Sequence, residues 1–320
     1  MAKQVQINST KAAGYTFGIE IETALPNATL RSLPVNGYHR NSSRIQVGQA
    51  GFPVAGWCLM NDCSISTSAP GYTAVELVSP VLEGREGFEA VLKVAEWMNS
   101  INAKTNSTMG THIHVGYRSV AGNDSNEIAA WTANLINVVA QFERAIQGAA
   151  GSFRRTQAHW AQSIRNHSYR RTADAVKAAR KNRKGATLAN ARLDRYHTLN
   201  LQNMNGGRLP TVEFRAFSGT TDGLKMVAWI SMCLALAERA TYRNSKFDAP
   251  RTSCYRGNGE AKKTIDRFFY LCGWTLGRKN DKAAEVEADG FVLPIEMMKP
   301  VKRELRRLCK KFDSEAPAAR

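Results

Sequence analysis

The sequence predicts an α+β fold, with a mainly antiparallel sheet and helices packed on its outer face. Three observations lead there. Strand-like and helix-like segments are mixed without a regular βαβα alternation, which argues against a doubly wound parallel sheet. Several strand-like segments carry polar groups at i and i+2, which a strand turns to one surface. The helical stretches repeat apolar residues at three- and four-residue spacing, so each has a face to bury.

Taken in order, residues 14–23 read as a strand. Within it Phe17-Gly18-Ile19-Glu20-Ile21-Glu22 sets two carboxylates on one side and apolar residues on the other. Residues 24–56 are rich in Gly, Pro, Ser and Asn and read as a flexible loop or flap. Short strands follow near 57–60 and 72–79. The second carries Glu76 and ends at Pro80. Phe88, Val91, Leu92, Ala95 and Met98 mark an amphipathic helix over 84–100. Gly110-Thr111-His112-Ile113-His114-Val115-Gly116 is a strand with two imidazoles on one face. A longer helix over about 125–148 buries Ile128, Trp131, Leu135, Val138, Phe142 and Ile146.

A basic insertion then runs over about 151–192. Residues 151–185 hold ten Arg or Lys against one acid, Asp174, and 172–184 read as helix. Strands return at 195–201 and 211–217, the second pairing Glu213 with Arg215. Gly206-Gly207 precedes a strand rather than a helix, so it reads as a turn and not a phosphate loop. Asp222 is placed to cap an apolar helix over roughly 223–240. Helices at 261–277 and 294–312 complete the chain. The last turns Val301, Leu305, Leu308 and Phe312 inward and its basic residues outward. The expectation is one domain over 1–312 and a disordered tail over 313–320.

Composition narrows the function classes. The 320 residues are 43% apolar, enough for a sizeable core. No apolar run is long enough to span a bilayer, and the N-terminus lacks the apolar stretch of a secretion signal. Cys58, Cys63, Cys233, Cys254, Cys272 and Cys309 follow no zinc spacing and read as reduced core thiols of a cytoplasmic protein. The six tryptophans read as core rather than as stacking platforms. The net charge of +17 favours anionic partners, or serves solubility.

If the four polar strands share a sheet, one face gathers Glu20, Glu22, Glu76, Glu213, His112, His114 and Arg215. Such charge needs compensation, and divalent cations with a phosphate supply it. The carboxylates suit Mg²⁺ or Mn²⁺, and a His ligand tips the balance toward Mn²⁺. The planar fork of Arg215 suits phosphate oxygens. Singly these signals are weak. Glu-x-Glu is usually a solvated face, paired histidines also serve structure, and Glu-x-Arg is a common ion pair. Their value lies in occurring together.

The order of these segments resembles the amidoligase family. It runs from Phe-Gly-Ile-Glu-Ile-Glu through Asp62-Cys63-Ser64-Ile65 with Glu76-Leu77-Val78-Ser79-Pro80, then Gly-Thr-His-Ile-His-Val-Gly and Thr-Val-Glu-Phe-Arg-Ala-Phe-Ser-Gly-Thr, over about residues 14–240. That family belongs with the carboxylate–amine ligases that include glutamine synthetase and glutamate–cysteine ligase. The resemblance implies a glutamine-synthetase-like catalytic fold with a curved sheet, and it implies ATP with two or more Mg²⁺ or Mn²⁺ ions. It assigns metal binding to Glu20, Glu22, Glu76, His112 and Glu213. It sets His114, Arg215 and Arg195 near the nucleotide phosphates, and Arg155, Asn200 and Asp62 toward substrate. Arg215, Glu213 and Glu22 would carry the catalysis. Arg155 stands out within the run Arg154, Arg155, Arg165, Arg170 and Arg171, because it begins an Arg-x-x-x-x-Trp pattern. Cys63 departs from the family's glycine in the turn after Asp62.

The implied reaction is ATP-dependent amide formation between a carboxylate and an amine through an acyl phosphate, with peptide, cell-wall or amino-acid substrates. Two rivals stay open: a guanidino-kinase-like phosphotransferase of the same fold, and a non-catalytic basic protein contacting nucleic acid. No membrane partner is expected.

Overall fold

The computed structural model describes residues 14–37, 43–156, 159–164, 193–204, 209–241, 260–272, 274 and 295–315. Its frame is one sheet built from β1 (Thr16–Pro26), β2 (Val35–Asn36), β3 (Cys58–Met60), β4 (Tyr72–Val78), β5 (Leu82–Glu83), β6 (Gly110–Gly116), β7 (Leu199–Asn200) and β8 (Thr211–Ser218). The spatial order is β2-β3-β4-β1-β6-β8-β7, with β5 beside the start of β1. Among the described strands the pairings are antiparallel except β2 with β3. The four motif strands are therefore consecutive in space, although the chain visits them far apart.

The helices are α1 (Asn27–Leu30), α2 (Gly84–Ser100), α3 (Tyr117–Ala121), α4 (Ser125–Ala149), α5 (Phe153–Thr156), α6 (Gly223–Arg239), α7 (Glu260–Leu271) and α8 (Ile295–Glu315). Two aromatic contacts dock helices on the apolar face of the sheet. Phe17 of β1 meets Phe88 of α2 at 5.3 Å between ring centroids, and Phe217 of β8 stacks on Trp229 of α6 at 4.9 Å. The predicted cap at Asp222 is present, accepting from the N–H groups of Leu224 and Lys225. Asp124 caps α4 in the same way. α7 and α8 form a further layer, packed on α4 and α6.

A bulge sets the geometry of β8. Thr111 pairs with Phe217 and Ile113 with Phe214, so β8 holds one residue more than β6 across this interval. Strict alternation would turn Glu213, Arg215 and Phe217 to one face. The extra residue lets Glu213 and Arg215 stay together while Phe217 turns to the helices.

Several elements differ from expectation. Among its described residues, the stretch predicted as a flap carries the last residues of β1, α1, β2 and a short helical turn at Gln49–Gly51. It is pinned by Leu33, Ile45 and Phe52, which sit in the core. The strand expected over 195–201 shortens to Leu199–Asn200, because Asp194 turns the chain by accepting from the N–H of Tyr196. The tail does not begin at Asp313: α8 continues to Glu315, and the Asp313 carboxylate caps α7 by accepting from Ala261 N and Lys262 N. The helix expected over 172–184, residues Arg165, Arg170, Arg171 and Cys254, the Gly206-Gly207 turn and the end of the tail lie outside the described residues. So does most of the segment past Leu271 in the helix expected over 261–277. Cys58, Cys233, Cys272 and Cys309 are buried as predicted, whereas Cys63 is exposed, because it lies in the turn beside Asp62 and not in a helical core stripe. Trp160 is only half-buried, and the other five tryptophans are core.

Candidate active site

The polar face of β4, β1, β6 and β8 brings the predicted residues together through register. Glu22 pairs across strands with Glu76, Glu20 with His112, and His114 with Glu213. Two like charges directly opposite each other, as in Glu22 and Glu76, are unfavourable without a counter-charge. The ring of His112 lies at the centre. Its Nδ1 is 3.4 Å from Glu20 Oε2 and 3.6 Å from Glu213 Oε1, and its Nε2 is 3.6 Å from Glu22 Oε1.

Each remaining group is held in place. The N–H of Gly110 donates to Glu22 Oε2. Asn200 Nδ2 donates to Glu213 Oε2 at 2.7 Å, and Arg215 forms an ion pair with the other oxygen of Glu213. The bulged backbone at Arg215 donates to the Thr198 carbonyl. His114 Nδ1 lies 3.0 Å from Thr211 Oγ1, while its Nε2 faces Glu20 Oε1 at 3.2 Å. Arg155 reaches over Gly110 from α5 and donates to the Arg215 carbonyl at 3.2 Å.

The electrostatics are those of a crowded acidic pocket. Burial and the charges of Glu20, Glu22, Asp62 and Glu213 push the Glu76 carboxyl well above the usual range. For Glu20 the loss of water acts the same way, but His114 and then His112 outweigh it and hold the carboxyl well below its ordinary value. For His114 the balance also favours charge: burial works against it, and Glu20 with Glu213 raises it to about 9. Glu213 is lowered despite burial, by Arg215, His114 and His112. Burial depresses the Arg155 guanidinium, which feels Glu22 and Arg215 on either side.

Two donor triads are within reach of a cation. Glu20, His112 and Glu213 form one, and Glu22, Glu76 and His112 the other, with ligand atoms inside each within 4.8 Å of one another. His112 Nε2 is buried and lacks a hydrogen-bond partner. Carboxylates with one imidazole suit a hard divalent ion, so the residues present fit the implied metal. The buried Nε atoms of Arg155 and Arg215 likewise have no hydrogen-bond partner.

Two sequence candidates stand apart from this cluster. The guanidinium of Arg195 lies over the rings of Trp160 and Tyr196, at 5.8 and 5.3 Å from their centroids. Asp62 accepts from Ser64 N at 2.7 Å in a tight turn, close enough for its charge to reach Glu76. Cys63 needs no glycine there: the non-glycine residues with left-handed backbone among those described are Ala50 and Asn102. Sequence reasoning missed Gly110 as a donor and Thr211 as the partner of His114. A signal existed for Thr211, which sits two residues before Glu213 and so shares its face.

A family model described as "Putative amidoligase enzyme" matches residues 13–237. No curated protein sequence matches the chain. Among solved structures, a bifunctional glutathione synthetase from Pasteurella multocida is similar with a TM-score of 0.43 and 11% identity, over 95% of this chain. The chain spans 50% of that protein's length. No helix among the described residues is long and apolar enough to cross a membrane.

Proposed function

The chain belongs to the amidoligase family, and from that premise we propose that it is an ATP-dependent carboxylate–amine ligase working through an acyl phosphate. The observation that carries this reading is the pair of donor triads beside the buried guanidinium of Arg155 and the half-buried one of Arg215. We read the sheet as the catalytic sheet of a glutamine-synthetase-like fold, in a single domain over residues 1–312, acting in the cytoplasm.

Glu20, Glu22, Glu76, His112 and Glu213 would hold Mg²⁺ or Mn²⁺. Such ions neutralise phosphate charge that otherwise repels an incoming carboxylate. His114, held cationic beside Glu20, faces the nucleotide phosphates together with Arg215, and Arg195 borders them. Glu213 and the Thr198 carbonyl fix the position of Arg215. Arg155, Asn200 and Asp62 are assigned to the carboxylate-bearing substrate.

A carboxylate oxygen of the substrate attacks the γ-phosphorus and displaces ADP. The amine then attacks the acyl carbon, and Arg215 stabilises the tetrahedral oxyanion. Phosphate departs with the C–O bond electrons, the nitrogen loses its proton, and an amide remains. No nucleophilic serine or cysteine takes part.

The test is a screen of amino-acid and peptide pairs for ATP-dependent phosphate release, with mass spectrometry of products. Phosphate release that requires an amine, with a matching amide, is expected. A phosphorylated product formed without amine would assign a phosphotransferase instead. A protein whose melting temperature ignores both nucleotide and Mn²⁺ would overturn the site.

A further inference from the structure

The two outermost helices carry a feature that the pocket does not use. α7 and α8 run antiparallel: Asp313 caps the start of α7, and Arg306 Nε meets Asp266 Oδ1 at 2.7 Å midway along. Their apolar sides are committed to the interior. Val301, Leu305, Leu308 and Phe312 of α8 and Ile265, Phe268 and Phe269 of α7 are all buried.

What remains outside is basic. On α8 the exposed row is Lys299, Arg303, Arg306, Arg307 and Lys310. Four-residue spacing stacks like charges such as Lys299 and Arg303 on one side of the helix, an arrangement that is unfavourable in isolation. The described acids of α8 relieve little of it. Glu304 is buried and among the described residues holds Arg307, Asp313 is occupied as a cap, and Glu315 reaches Lys311. Lys299, Arg303 and Lys310 make no ion pair among the described residues, and neither do Lys262, Lys263 and Arg267 on α7. Along α8 the row extends about 16 Å at 1.5 Å per residue. Tyr270, 45% exposed, lies on the exposed side of α7.

We propose that the α7–α8 face is a docking surface for the phosphodiester backbone of nucleic acid. Charge complementarity is the argument: an extended basic row, in which Lys299, Arg303 and Lys310 have no ion-pair partner among the described residues, matches a regularly charged strand, and the chain as a whole carries +17. A lipid surface fits less well. A basic amphipathic helix binds a bilayer by inserting its apolar side, and here that side is packed against α4 and α6. The surface lies beyond the helix layer from the polar face of the sheet, so it is independent of the ligase chemistry.

The full-length protein is titrated into fluorescent 20-base-pair DNA and RNA duplexes, and separately into phosphatidylserine vesicles, over a range of NaCl. K299Q/R303Q/K310Q is compared with R31Q/K93Q/R118Q, which removes the same charge from exposed positions elsewhere. Circular dichroism checks that both variants are folded. Binding to either duplex is expected, and the two arms identify which nucleic acid is preferred. For the first variant the plot of log affinity against log salt should be shallower by about 2.7, at about 0.9 per lost phosphate contact. The second variant should match wild type. Equal losses in both variants, an unchanged slope in the first, or capture by vesicles with no duplex binding would each overturn the proposal.

Discussion

The guanidinium of Arg155 occupies the space that a side chain on Gly110 would need. A β-carbon built on Gly110 would lie 2.9 Å from Arg155 Cζ and 3.2 Å from its Nη1. The backbone of Gly110 is not left-handed, so glycine is required there for space and not for conformation. The same residue donates its N–H to Glu22. One missing methyl group thus lets a cation from α5 come within electrostatic reach of a carboxylate from β1.

Gly110→Ala should push Arg155 aside. Overpacking of this kind costs about 1–3 kcal/mol, and if Arg155 faces the substrate as proposed, displacing it by about 1 Å costs on the order of 100-fold in rate. The KM for the carboxylate substrate should rise more than the KM for ATP. Steady-state kinetics with each substrate varied in turn checks this, and equal effects on both would count against the substrate role of Arg155.

Glu22→Gln and Glu213→Gln preserve shape and remove the charge of a proposed metal ligand. Each should lower ATP turnover by at least on the order of 100-fold, with far-ultraviolet circular dichroism unchanged. Turnover at the wild-type level in either variant would refute the metal assignment.

Glu76→Gln separates stability from function. The Glu76 carboxyl is raised by burial and by neighbouring carboxylates, so the folded chain holds its proton to higher pH than the unfolded chain does. The ionised residue therefore destabilises the metal-free fold as pH climbs above the ordinary carboxylate range. In chelator at pH 8 the variant should melt higher than wild type, and added Mn²⁺ should raise its melting temperature less. A lower melting point in chelator would contradict the repulsion described here.

His114 gives a second pH dependence. Its folded value is about 9 against an ordinary 6.5. The pair with Glu20 then contributes fully below pH 6.5 and is lost as pH rises through about 9. In chelator, wild type should lose melting temperature across that window more steeply than His114→Gln. Thermal scans at half-unit pH steps would show it, and parallel curves would exclude the pair as the cause.

Much of the polar face was legible in the sequence because strand alternation is a local rule. Glu20 with Glu22, His112 with His114, and Glu213 with Arg215 each share a face by spacing alone. Their convergence was not local. It depends on β1 lying between β4 and β6, which no spacing announces. The role of Gly110 was hidden for the same reason, since its partners sit in β1 and α5. The position of Arg195 over the rings of Trp160 and Tyr196 was likewise not legible, since no spacing announces that stack. Asp313 looked like the start of a tail until α7, folding back, used it as a cap.

The extra residue in β8 has an evolutionary corollary. Phe217 and Trp229 anchor that strand to α6, while Glu213 and Arg215 look the other way. Deleting one residue between them would restore a regular ladder and rotate one group against the other, sending either the aromatic anchor into solvent or the ionic pair into oil. Substitutions along this stretch could be absorbed one at a time. A change in its length could not, so the count of residues from Glu213 to Phe217 should outlast their identities as the lineage diverges.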